Sequence, residues 1–166
     1  MDMFLNIFKQ FSKFNKSINV TLIKIIKEND EIYNKRISGY YKNVNDILFH
    51  ILDVDLLWIS RIGEVVDSKI FDEEIFKNYD RHIEPINKYK TIAEFEKDRI
   101  ILDELIIKFV DEVNEKDLDK KMLCNNNRTR KVWELLLHTF NHQTHHRGQI
   151  SEILDENGIK NDYSDM

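Results

Sequence analysis

Apolar residues recur at three- and four-residue steps over four long stretches of this chain, the spacing that gathers them on one face of an α-helix. The first stretch, Phe4 to Glu28, carries Phe4, Leu5, Phe8, Phe11, Phe14, Ile18, Val20, Leu22, Ile25 and Ile26 with lysines between them. The second begins at a cap supplied by Asn43 or Asn45, is apolar almost all round from Ile47 to Ile59, and stops at Gly63. Thr91 and Glu94 form a capping-box signature ahead of the third, in which Phe95, Ile100, Leu102, Leu105, Ile106, Phe109 and Val113 recur. The fourth starts near Thr129 to Val132 and ends about Asp155, before Gly158; its inward stripe reads Leu135, Thr139, His142, His146, Gln149, Ile153.

The connections are long. Residues 29–43 mix polar side chains with Gly39 and the pair Tyr40-Tyr41, and residues 64–90 lose the pattern and contain Pro85, which precludes a continuous regular helix there. A link of that length crosses from one end of a bundle to the other or covers a site. It also carries His82, read as exposed. In the last break, Lys121 to Cys124 and Arg128 to Val132 can pair as a small hairpin about Asn125 to Asn127. The expected fold is all-α: a four-helix bundle with long connections and a small hairpin between helices three and four, one domain over residues 1–166.

Composition agrees with helices, with 33% charged residues, four glycines and one proline. A net charge of -5 and a pI of about 5.7, with no long basic run, exclude an advertised nucleic-acid surface. Arg128, Arg130 and Lys131 make only a short cluster, read as a solvated loop. No apolar run reaches the roughly 18 residues needed to span a bilayer. The start, Met1-Asp2-Met3-Phe4-Leu5, carries an acid rather than a basic region, so no membrane association and a cytoplasmic location are expected. Cys124 is the single cysteine, read as an ordinary thiol in a polar loop, which excludes an internal disulfide and suits a reducing compartment.

Candidate chemistry concentrates in the fourth helix. His138, His142 and His146 follow at four-residue spacing, about 6 Å apart along a helix axis. Two imidazoles so spaced can share one ion; all three cannot, since the outer pair is about 12 Å apart. His142 pairs with His146 or with His138. Two rings set into an apolar stripe need partners, because an unpartnered buried polar group costs about 1 to 3 kcal/mol. A metal satisfies both rings at once; a carbonyl or carboxylate for each is the alternative. His50, on the row Ile47, His50, Val54, Leu57 of the second helix, would add a third nitrogen. His145 is offset by about 100° from His146, a position for an outer or interface role. Asp53, Asp55, Glu134 and Gln149 lie near enough to orient a ligand or handle a proton, each with a solvated side chain as its simpler reading. Zinc or nickel suits the donors, with copper and iron also compatible. Phosphate-binding glycine loops, a Gly-x-Ser-x-Gly elbow, Cys-x-x-Cys, His-Glu-x-x-His and the repeated Glu-x-x-His of di-iron bundles are absent.

His50 within Leu48-Phe49-His50-Ile51-Leu52 followed by Trp58, and Leu137-His138 running into Asn141-His142-Gln143-Thr144-His145-His146-Arg147-Gly148-Gln149-Ile150, resemble the DinB family of metal-binding four-helix bundles. The resemblance implies a divalent metal held by one histidine of the second helix and a His-x-x-x-His pair of the last, here His50, His142 and His146, and so favours His146 over His138. It implies a thiol S-transferase joining a low-molecular-weight thiol such as bacillithiol or mycothiol to an electrophile, or a metal-dependent hydrolase or isomerase. A homodimer is implied as well. A non-catalytic metal-binding stress protein and a helical dimerisation module are the alternatives.

Overall fold

The structure is a computed structural model that describes residues 3–79, 89–124 and 128–163. Four long helices form it: α1 (Met3–Glu28), α2 (Val44–Ile62), α4 (Ile92–Glu112) and α6 (Val132–Glu156). One-turn helices α3 (Glu74–Lys77) and α5 (Glu115–Leu118) interrupt the connections. Strands β1 (Lys121–Leu123) and β2 (Thr129–Lys131) pair antiparallel, with Met122 opposite Arg130. The expected hairpin is there, while its Asn125 to Asn127 turn lies outside the described residues, as do His82 and Pro85.

Each long helix packs on two others, in the cyclic order α1, α4, α2, α6. Surface ion pairs give the direction of the first contact: Lys9 with Asp111, Lys16 with Glu104 and Lys27 with Glu96 run oppositely, so α1 and α4 are antiparallel. Exposed pairs of this kind add at most about 1 kcal/mol each and report geometry more than stability. Trp58 against His138 and His50 against His146 make α2 and α6 antiparallel too. By contrast Asn45 reaches the Tyr89 carbonyl and Asp55 reaches Arg99, pairs that advance together, so α2 and α4 run parallel. Parallel neighbours require the link between them to return along the bundle. Tyr79 marks that return, its hydroxyl donating to the Asp53 carboxylate at 2.8 Å.

Local chemistry sets the ends of the elements. Asn43 is the cap of α2, its side chain accepting from Asp46 N–H at 2.9 Å. Asn45 instead clamps two connections, accepting from the Tyr33 hydroxyl and donating to the Tyr89 carbonyl. The Thr91 and Glu94 capping box forms as expected. Gly63 ends α2 for a reason other than backbone freedom: a Cβ there would stand 2.6 Å from the Phe71 ring, which packs over the helix end.

Burial corrects two of the predicted stripes. On α1 the inward row is Phe8, Ser12, Asn15, Asn19, Leu22 and Ile26, whereas Phe4 and Val20 are 54% and 47% exposed. On α6 the buried row contains Gln143 and Arg147 beside Leu136, Phe140, Ile150 and Leu154, and His142 and Gln149 lie at its margin. Hydrogen bonds offset part of the cost of these polar positions: Ser12 and Asn15 donate to carbonyls one turn back, while Asn15 Oδ1 has no partner among the described residues. Core side chains such as Leu22, Leu52, Phe109 and Leu136 are essentially without solvent contact, each contributing about 1.5 to 3 kcal/mol through burial. No helix among the described residues is long and apolar enough to cross a membrane.

Candidate metal centre

The antiparallel contact of α2 with α6 brings the middle of one helix against the middle of the other. His50 therefore faces His142 and His146, which stand one turn apart on α6. Ring centroids are 4.9 Å apart for His50 and His142, 4.7 Å for His50 and His146, and 4.3 Å for His142 and His146. One nitrogen from each ring can be chosen so that all lie within 4.8 Å of one another. The Nε2 atoms of His50 and His142 are 3.1 Å apart. Donor nitrogens at zinc–nitrogen distances of about 2.0 to 2.1 Å in a tetrahedral site are about 3.3 Å apart, so the cluster is close to the size of one ion's shell.

At His146 the hydrogen bonding suits a metal ligand. Gln149 Oε1 lies 2.8 Å from His146 Nδ1, so the ring can donate there and keep the Nε2 lone pair free. His142 Nδ1 is buried without a hydrogen-bond partner among the described residues. Burial, helped by the neighbouring rings, pushes His142 down to about 3; burial also lowers His50 and His146. Three neutral imidazoles thus converge near neutral pH, with lone pairs available. A divalent cation fits this donor set, and the three-histidine group can hold one.

Other candidates are placed elsewhere. His138 is 5.9 Å from the His142 ring and packs edge-on against Trp58, outside the cluster. His145 is exposed, its ring 4.8 Å from that of His146. Among the candidate orienting groups, Gln149 contacts a cluster histidine, while Asp53 accepts from Tyr79 and Glu134 caps α6 through Lys131 N–H. Asp55 overturns its reading as a solvated carboxylate, for it has no solvent exposure.

Asp55 belongs to a polar network that the sequence did not disclose. Arg99 donates to Asp55 at 2.7 Å and to Asp103 at 2.8 Å; Gln143 donates to Asp55 at 2.9 Å. Asn19 reaches Asp103 and Gln143, and Arg147 reaches Asn19 and Gln143, so all four long helices contribute. Burial pushes Asp55 up to about 6 against the pull of Arg99, and burial lowers Arg147 to about 10. The i,i+4 pair Arg99 and Asp103, set among Phe95, Leu102 and Ile106, was the available sequence signal.

Tyr41, in the first connection, is a second residue that periodicity misses. Its ring is 5.5 Å from His50 and 5.7 Å from His146, walling one side of the cluster. Beyond it a polar cleft of about 560 Å³ includes Lys35, Arg36, Gln149 and Glu152. On the other side a cleft of about 620 Å³ is bounded by Trp58, Cys124, Trp133, Leu137, His138 and Asn141. Cys124, expected in a polar loop, is buried, because its N–H bonds the Arg128 carbonyl and extends the hairpin against α6. Arg130 and Lys131 pair with Glu134 and Asp119 at the surface.

The DinB family profile matches residues 1–165. Protein DinB of Bacillus subtilis (strain 168) is 28% identical over 151 residues, covering 88% of this chain and 83% of that protein. With the match extending over almost the whole sequence, the chain belongs to the DinB family.

Proposed function

We propose that His50, His142 and His146 hold a divalent metal ion, zinc or nickel, and that the protein is a metal-dependent thiol S-transferase or hydrolase. The observation that carries this reading is the convergence of three imidazole nitrogens within 4.8 Å, one of whose rings, His142, is kept neutral far into acid. Three donors leave at least one position of a tetrahedral ion free for a reactant. The ion supplies Lewis acidity, which makes a thiol or a water a stronger nucleophile near neutral pH.

The protein's own groups prepare that position. Gln149 holds His146 by its Nδ1, and Tyr41 covers the His50 and His146 side, leaving approach from the His138 side. Burial keeps protons off the donor nitrogens. The test is turnover of an electrophile by added low-molecular-weight thiol in metal-replete protein, beside hydrolytic substrates. Activity should disappear with metal removal and in His142→Ala; activity that survives both overturns the mechanism.

A second reading is favoured by one feature, that the donors come from two helices. An ion there ties α2 to α6, and the protein serves as a non-catalytic metal-binding stress protein. On that reading, metal removal lowers the melting temperature while no substrate turns over. We infer a homodimer as well, on the resemblance, and a cytoplasmic location, on the single cysteine; a monomer's sedimentation coefficient would remove the dimer.

A further inference from the structure

We propose that the cleft between α2, α6 and the hairpin is the electrophile subsite, and that it takes an uncharged, planar aromatic molecule. The assignment rests on the metal-dependent reaction proposed above for what happens to the ligand, and on the cleft alone for its binding.

Size comes first: about 620 Å³ lies within the roughly 300 to 1,000 Å³ of small-molecule sites. The walls then select the chemistry. Both tryptophans of the chain, Trp58 and Trp133, line it, each only partly buried, and Leu137 beside them is 45% exposed. Indole faces and an aliphatic side chain favour a flat apolar guest through offset or edge-on contacts. Charge argues for a neutral one. The charged pair at the cleft, Arg130 and Glu134, is internally matched at 3.2 Å, so no unpaired Lys, Arg, Asp or Glu among the described residues lines it. Asn141 remains for a polar substituent.

Position connects the cleft to the chemistry. His138 is a wall of the cleft, edge-on to Trp58 at 5.5 Å, and its other neighbour is His142 at 5.9 Å. A guest in the cleft lies one imidazole from the proposed ligand set. The cleft beyond Tyr41 also has apolar lining in Ile37, Ile47 and Ile153, but it sets Lys35, Arg36, Glu152 and Glu156 around it and holds no tryptophan.

Both tryptophans being in the cleft makes the test direct. The metal-replete protein is titrated with 2,4-dinitroaniline, an unreactive, uncharged nitroaromatic that absorbs where indole emits. The proposal expects saturable quenching of most of the intrinsic fluorescence. Affinity should fall at least tenfold in Leu137→Asp, a substitution at an exposed helix position, and in Asn141→Lys, and stay unchanged in Glu152→Leu in the other cleft. Quenching that rises linearly without saturation, or equal affinity in the parent and both cleft variants, overturns it. The two readings fail separately. Saturable quenching without metal-dependent turnover leaves the binding site standing and removes the reaction; metal-dependent turnover without saturable quenching removes this subsite and leaves the reaction.

Discussion

Adjacent residues on α6 serve two polar clusters of opposite character. Gln143 and Arg147 point into the bundle and join Asn19, Asp55, Arg99 and Asp103, where charges of opposite sign meet at hydrogen-bond distance. His142 and His146, each one residue earlier, turn to the edge of the bundle, where like donors meet and His142 Nδ1 has no partner among the described residues. The network around Arg99 balances its charges within the protein, although Asp55 Oδ1 and Arg99 Nε have no hydrogen-bond partner among the described residues. A cluster of three lone pairs is completed by a cation. The first region serves the fold, and the second can hold a cation.

The contrast can be broken most forcefully at Arg99. Replacing it with Met leaves Asp55 and Asp103 buried without their cation, and the expected loss is about 3 to 5 kcal/mol of unfolding free energy, measured by urea denaturation. A loss under about 1 kcal/mol would mean that the network is peripheral to stability. Gln149→Leu probes the other cluster without touching a donor. Metal affinity should fall 10- to 100-fold, or about 1.4 to 2.7 kcal/mol by competition with a chelator, because His146 loses the group that fixes its tautomer.

His142→Ala in metal-free protein should change unfolding free energy by no more than about 1 kcal/mol, since the ring is only partly buried and its Nδ1 has no hydrogen-bond partner among the described residues. A loss as large as that of Arg99→Met would make the histidines a second structural network.

On pH dependence the two clusters carry opposite signs. His142, at about 3 in the folded state against 6.5 when free, contributes stability that is complete above pH 6.5 and is lost as pH falls toward 3. Asp55, at about 6 against 3.8, contributes stability present below 3.8 and lost as pH rises through 6. Metal-free protein should weaken below pH 6.5, and His142→Ala should flatten that decline; denaturation midpoints at several pH values would show it. Asp55→Asn should remove the opposing arm.

The helices were legible because periodicity and caps are local: Asn43 and the Thr91/Glu94 box act within three residues. The histidine cluster was legible for a related reason, since four-residue spacing on one helix leaves only the third donor to be found; His50 on the apolar second helix offered it, and the resemblance favoured His146 over His138. Arg99 and Asn19 were hidden because a polar residue's burial is decided by which helical row faces inward. Their partners are distant in sequence, 44 residues for Arg99 with Asp55 and 128 for Arg147 with Asn19. An apolar count on α1 chose Phe4 and Val20 over Asn15 and Asn19 for the same reason. Tyr41 sits in an irregular connection, where no period places a side chain.

The central claim is that the histidine cluster is a metal site, and elemental analysis of the purified, untagged protein beside His50→Ala and His142→Ala tests it most directly. Near-stoichiometric zinc or nickel in the parent and its loss in both variants is the predicted result. Negligible metal in all three after both ions have been offered would contradict it and leave a bundle with three packed histidines.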